Sequence, residues 1–335
     1  MTQTDFQAEK KIVLDYTRAL DAATPEAVAD TLTAHTTPGF RWRGVHPFNE
    51  LPDAASIADR LWSPLKEAIG PWQRRPDVFF AGQNILDDAG GVWVVEMGHL
   101  MGLWERPFLD LPPTRKIAFL RYAEFHRVED GRIAETVSYL DLLHLIHQAG
   151  LRPFPGQTGA DILTPGPRTH DGLLHDPQDP EDGHVTMQLI MDMVEELRSA
   201  GVSSPADHID RFWTPDMCWF GPAGIGASAF RDGYRRGHTG PFEAGLEFVR
   251  SDGHGAELAE GRYGGFFGYP SITMRPTGGF MGMPANDTEA EMRIVDIYRR
   301  DGDKLAENWI FIDMLHFFAM QGLDVLERLK KHPRT

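Results

Sequence analysis

Two short strings carry residue types that do chemistry, and they recur: Asp141-Leu142-Leu143-His144 and Asp313-Met314-Leu315-His316. On a helix, a spacing of three puts Asp and His on one face about one turn apart. The strings then read in more than one way. Asp before an apolar helical run is a favoured N-cap. His144 and His316 would give two ligands toward a divalent cation, but a third is not visible, and no metal is expected. His99, in Glu-Met-Gly-His-Leu-Met-Gly, and His126, in Glu-Phe-His-Arg, stand in strand-like runs. An imidazole there can polarise an oxygen or relay a proton, or it can be a hydrogen-bonded wall residue.

Around these lie groups suited to holding a small molecule. Trp42 and Trp219, each two residues before a Gly, join Trp309 as a candidate aromatic rim for a flat or cyclic substrate, with core packing as the plain alternative. Arg43, His46 and His238 fall in loops, where they can neutralise a carboxylate or simply be solvated.

Composition narrows the classes. A formal charge of −16 over 335 residues opposes a phosphate backbone, and no Lys/Arg cluster interrupts it, so nucleic acid is not an expected partner. The lone Cys218 excludes an internal disulfide framework. No run of about 18 apolar residues suggests a membrane span, and the charged start MTQTDFQAEKK lacks a leader's apolar stretch, so a cytosolic protein is expected. The phosphate-loop, dinucleotide, Gly-x-Ser-x-Gly and His-Glu-x-x-His patterns are all missing, which leaves chemistry without a cofactor.

The elements that must position these groups come in two copies. Asp130 to Leu151 lies beside Asp301 to Leu323, and Asp141 and Asp313 stand 172 residues apart. Trp42-Arg43-Gly44 matches Trp219-Phe220-Gly221, and Gly70-Pro71-Trp72 is set against Gly240-Pro241-Phe242. The same alignment places Tyr263 and Tyr298 opposite His99 and His126. Each copy opens with a helix, through Phe6, Val13, Tyr16 and Leu20 in the first and Val185, Leu189, Met193 and Leu197 in the second. Thr4 and Ser203-Ser204-Pro205 supply caps and stops. Strands follow at Gly91 to Leu103, Lys116 to Arg127 and Arg132 to Leu140, and again at Ala256 to Phe267, Glu289 to Arg299 and Lys304 to Ile312. The domains expected are residues 1–151 and 184–335, joined by a Pro/Gly/Asp-rich linker over 152–183. Helices followed by a curled, mostly antiparallel meander predict an α+β fold of two cone-shaped domains, each with room for a pocket.

Phe280-Met281-Gly282-Met283-Pro284, then a strand, an Asp-Gly hairpin and Trp309 to Asp313, resembles the SnoaL-like polyketide cyclase family. The first copy carries the pattern as Phe108 to Thr114 and Tyr139-Leu140-Asp141. The resemblance implies the nuclear transport factor 2-like (cystatin-like) fold. It also implies that Asp141 and Asp313 are the acid/base carboxyls, with His99 and His126 beside them and Trp42, Arg43, His46, Tyr139, Trp219, Tyr263, Tyr298 and Trp309 around the substrate. Burial at the floor of an apolar cone would lift such a carboxyl's pKa toward neutrality. The expected function is a cofactor-independent cyclase or isomerase acting on a small carbonyl-activated or cyclic substrate, the first cone being favoured if only one acts. A hydrolase or dehydratase and a non-catalytic binding protein stay open. The partners implied are a small-molecule substrate and the chain's own second copy, packed as an intramolecular pseudo-dimer, with a homodimer left open.

Overall fold

The structure, a computed structural model, describes residues 5–86, 90–154, 156–200 and 206–331. Thr4 and Ser203-Ser204-Pro205 lie outside the described residues. The chain divides into two compact units. The first is Met1–Leu151 with Arg168–Pro177 and Val325–Thr335, and the second is Arg152–Pro167 with Gln178–Asp324.

In the first unit α1 (Gln7–Ala22) buries Val13, Tyr16, Thr17 and Leu20 on one stripe. Then come α2 (Val28–His35), β1 (Thr36–Gly44), β2 (Glu50–Leu51), α3 (Ala54–Ile57), a π-helical turn (Ala58–Trp62) and α4 (Ser63–Ile69). Long strands follow, β3 (Gln73–Gln83), β4 (Val92–Leu103), β5 (Ile117–Glu129) and β6 (Arg132–Leu140), and α5 (Leu142–Gln148) ends the series. The sheet order is β2-β1-β6-β5-β4-β3, antiparallel except for the β1–β6 pair. The β5–β6 hairpin turns at Asp130 and Gly131, with φ of 49° and 74°, the left-handed conformation that an Asp-Gly pair tolerates.

The second unit repeats the plan with α6 (Pro180–Ser199), α7 (Ala206–Phe212), β7 (Trp213–Phe220), β8 (Ala227–Ala229) and α8 (Phe230–Tyr234). A second π-helical turn (Arg235–Thr239) leads into α9 (Gly240–Gly245) and β9 (Glu247–Ser251). The sheet is completed by β10 (Ala256–Glu260), β11 (Tyr263–Arg275), β12 (Ala290–Asp301) and β13 (Lys304–Ile312), and α10 (Met314–Met320) follows. Its order is β10-β11-β12-β13-β7-β8 with β9 also on β11, and β7–β13 is the parallel pair. The last helix, α11 (Val325–Lys331), belongs to the first unit.

Four sequence readings change. The run Ala256 to Phe267 is two strands, because the chain turns at Gly261 and Arg262. Helix α6 is rotated from the expected face. Val185 is exposed, whereas Gly183, Thr186, Met187, Ile190 and Met193 are buried, because Thr186 Oγ1 donates to the Gly261 carbonyl at 2.6 Å and accepts from Arg300 Nε at 2.8 Å. Gly240-Pro241 opens α9 as Ser63-Pro64 opens α4, so its counterpart is not Gly70-Pro71, which follows α4. Tyr263, paired with Arg299, answers Trp93, paired with Arg127, and not His99; Tyr298 does answer His126.

The Trp-x-Gly string has a steric cause. Trp42 and Trp219 fold their indoles back over Gly44 and Gly221, where any Cβ would collide with the ring. This holds β1 and β7 in register beside β6 and β13, with Trp42 opposite Thr136 and Trp219 opposite Asn308.

Candidate active site

Strand alternation sends every second side chain to the helix-covered face of each sheet. In the first unit that face, under α1, carries Arg74, Glu96, Tyr122, Glu124, His126 and Ser138. The Arg74 guanidinium reaches Asp21 at 2.9 Å, Glu96 at 3.0 Å and Glu124 at 3.4 Å. Tyr122 Oη donates to Glu96 at 2.7 Å, and Ser138 Oγ donates to Glu124 at 3.0 Å. Burial raises the Glu124 pKa, against the pull of Arg74 and Ser138. His126 shares a 2.9 Å hydrogen bond with Thr136 Oγ1 and meets the edge of Tyr16, and burial pushes its pKa down to about 3, so it is neutral. Glu124 is 1% exposed and His126 0%, so both are closed off from solvent within this ionic network.

The same positions in the second unit hold a different set. Asp296 stands where Glu124 does, Tyr298 for His126, Asn308 for Thr136, Ile310 for Ser138 and Phe266 for Glu96. Asn308 Nδ2 donates to Asp296 Oδ1 at 2.9 Å and to the Ile297 carbonyl at 3.1 Å, and the Tyr298 side chain also hydrogen-bonds Asp296. Burial pushes the Asp296 carboxyl up to about 7, with Asn308 and Tyr298 pulling the other way. Asp296 and Ile294 are each 7% exposed.

Aromatic rings lead from Asp296 across the unit. Tyr298 lies 6.0 Å from Trp213, and Trp213 lies 5.9 Å from Tyr234, which is 5.2 Å from His238. His238 stacks on Trp219 at 3.9 Å and 15° and meets Phe242 edge-on at 4.5 Å. Burial pushes its pKa down to about 3, so it too is neutral. Phe242 is also a wall of a cleft of about 500 Å³, lined besides Thr158 by apolar and glycine residues that include Ile225, Pro241, Phe280 and Met281.

The residues singled out from sequence are scattered relative to this interior. Asp141 and Asp313 are N-caps, accepting from His144 N and His316 N at 3.0 Å each. Behind them stand Arg121, whose pKa burial lowers to about 10 against the pull of Asp141 and Asp77, and Arg293, 3.5 Å from Asp313. His99 points to the face opposite His126, since it pairs with Arg121 in the register, and its Nδ1 is 3.3 Å from Asp77. His99 and Asp141 thus share surroundings through Arg121 and Asp77, while His126 stands apart on the helix-covered face. Tyr139, Tyr263 and Trp309 also lie on the opposite face and are buried there, Trp309 donating to the Pro165 carbonyl at 2.9 Å. Arg43 is paired with Glu135, and His46 precedes the cis Pro47 in the half-buried turn between β1 and β2. Trp42 is buried, and of the proposed substrate contacts Trp219 and Tyr298 reach the Asp296 interior. No group of three or more His, Cys, Asp or Glu among the described residues is arranged to hold a metal ion, His144 and His316 included. No described helix is long and apolar enough to cross a membrane.

Sequence reasoning passed over Asp296, Asn308 and Tyr234, and left His238 at a loop mouth. The available signal was a carboxylate inside an apolar alternation at matching places in both copies, Glu124 in Ala-Glu-Phe-His-Arg and Asp296 in Val-Asp-Ile-Tyr-Arg.

No family model matches the chain, and no curated protein does. Among solved structures, it is similar to a protein from Jannaschia sp. CCS1 named as a SnoaL-like polyketide cyclase, at 18% identity and a TM-score of 0.36, over 46% of this chain and 98% of that one. It is similar to AclR from Streptomyces galilaeus, named as a hydroxylase, at 17% identity and a TM-score of 0.34, over 43% and 97%. An NTF2-like protein from Burkholderia thailandensis matches at 23% identity and a TM-score of 0.32, again over 43% and 97%.

Proposed function

We propose that the chain is a cofactor-independent acid/base enzyme of the cyclase or isomerase kind, acting on a small carbonyl-activated or cyclic substrate inside its second unit. The observation that carries this reading is Asp296: a carboxyl among aromatic rings, held by Asn308 and Tyr298, with its pKa near 7. A group poised there exists in both protonation states at neutral pH, as an acid/base that takes a proton and gives it back requires. The ionised carboxylate removes a proton from the carbon beside a carbonyl, and the C–H electron pair moves onto the carbonyl oxygen as an enolate. The enolate carbon then attacks a second carbonyl carbon to close a ring, breaking its C=O π bond to an alkoxide that takes the proton from Asp296, or the proton returns from Asp296 to another carbon to give the isomer. Tyr298 supports the carboxylate by hydrogen bonding, and the rings of Trp213, Phe266 and Tyr298 give the surroundings an aromatic character suited to a planar substrate.

The test is exchange of α-hydrogens of a panel of cyclic ketones in deuterated buffer, followed by proton NMR. The wild-type protein accelerates exchange of at least one ketone, and Asp296→Asn loses roughly 100-fold or more of that rate. Exchange that survives in Asp296→Asn but disappears in Asp141→Asn or Asp313→Asn would place the chemistry at the helix caps instead.

A further inference from the structure

We propose that His238 is a specificity residue of the second unit. It hydrogen-bonds the oxygen of an uncharged, planar hydroxyl- or carbonyl-bearing ring, which lies against the aromatic group built around it. This rests on the reading of Asp296 as the acid/base of the same unit and goes beyond it by fixing what kind of molecule is admitted.

Three observations carry it. First, the imidazole is held by rings on several sides: Trp219 stacked at 3.9 Å, Phe242 at 4.5 Å and Tyr234 at 5.2 Å. Second, its Nδ1 is buried and has no hydrogen-bond partner among the described residues. A buried polar atom left without a partner is costly, and a ligand oxygen at this Nδ1 would supply the partner. Third, the imidazole is particular to this copy. Both units carry a π-helical turn at the same place, and its fourth residue is Leu61 in the first, wholly buried, and His238 in the second. Such turns occur often at functional positions, because the extra residue redirects side chains. Here the same backbone device carries a buried leucine in one copy and an imidazole among aromatic rings in the other.

Charge sets the class of ligand. His238 is neutral, and the cations on its own turn stand apart from the ring group, Arg236 exposed and Arg235 half-buried. Asp296, when ionised, adds a negative charge to the same interior. A carboxylate ligand would be repelled by that charge, and the buried Arg299 and Arg300 are already engaged by Glu307 and Asp182, whereas a hydroxyl can donate to or accept from Nδ1 in either tautomer. Phe242 is shared between His238 and the 500 Å³ cleft, so the cleft lies one ring away from the imidazole.

The experiment measures quenching of tryptophan fluorescence by three probes of one shape: naphthalene, naphthol and naphthoate. Wild-type protein binds naphthol saturably, and naphthoate at least roughly tenfold more weakly. His238→Leu, which installs the first copy's residue, raises the naphthol Kd by about tenfold, as loss of one hydrogen bond does, and leaves naphthalene within about twofold. His238→Gln, which keeps a hydrogen-bonding group, retains the preference for naphthol over naphthalene, and near-ultraviolet dichroism checks that both variants are folded. The proposal is overturned if wild type does not bind naphthol, if naphthoate binds as well, or if His238→Leu weakens naphthol and naphthalene in parallel. Ketone exchange that depends on Asp296 alongside a negative naphthol result sinks the role of His238 alone; loss of both sinks the acid/base reading as well.

Discussion

Replacing Asp296 by Asn should make the protein more stable while disabling it, and the stabilisation should depend on pH in one direction only. The carboxyl titrates near 7 in the folded chain against 3.8 for an unperturbed Asp. Between those values the folded state keeps a proton that the unfolded state has already lost, so stability falls as pH rises through the window. A shift of about three units corresponds to ~4 kcal/mol as an upper figure, since each unit is worth about 1.4 kcal/mol. Asn cannot ionise, keeps an oxygen for the Asn308 amide, and so escapes the whole cost. Below about pH 4 both chains carry a neutral group and should be equally stable; at about pH 8 the variant should lead by ~2–4 kcal/mol. Urea denaturation at a series of pH values gives the difference directly. A gap that stays flat from acid to alkaline pH would mean that Asp296 titrates as a solvated carboxylate, and the argument for a poised acid would fail with it.

Two further outcomes test the frame. Arg74→Met leaves Asp21, Glu96 and Glu124 without their shared cation and should cost ~3–5 kcal/mol of stability in denaturation, largely recovered by adding Glu124→Gln; a loss under ~1 kcal/mol would show that water reaches the network. Gly44→Ala and Gly221→Ala drive a methyl into the indoles of Trp42 and Trp219 and should each cost ~1–3 kcal/mol by thermal melting, whereas Gly39→Ala, with open space around it, should stay within ~0.5 kcal/mol.

Much of the frame was legible because it rests on local chemistry. The Asp130-Gly131 turn, the bounds of β6 and β13, and the capping reading of Asp141 and Asp313 follow from residues a few positions apart. What was not legible depends on distant partners. Whether His99 and His126 share a face is set by the register of β4 on β5, which places His99 opposite Arg121 and leaves the two imidazoles on opposite sides of one sheet. The turn at Gly261 and Arg262 carries no Asn-Gly or Asp-Gly signal, so one long strand was the natural reading of two. The face of α6 is fixed by Thr186 and Arg300, 114 residues apart, a polar seat that apolar spacing cannot announce.

An internal repeat separates the residues that build a fold from those that use it. Positions that match between the copies serve the frame: the capping Asp141 and Asp313, the Trp-x-Gly of Trp42 and Trp219, and the cross-strand acids Glu135 and Glu307, each paired with an arginine. They match because the same backbone problem arises twice. Positions facing the helix-covered interior have diverged, and in a consistent direction. The first copy gathered Arg74, Glu96, Tyr122 and Glu124 into a closed network, a costly arrangement to bury unless every charge is met. The second carries Asp296 with Asn308 and Tyr298 there, beside Phe266, on which His254 stacks while bonding Glu257 at 2.8 Å. An ionic core whose charges meet one another contributes order, whereas a carboxyl buried without a cation beside it lowers stability as pH rises. The matching residues therefore mark the frame, and the proposed chemistry at Asp296 rests on a position where both copies keep a carboxyl but surround it differently.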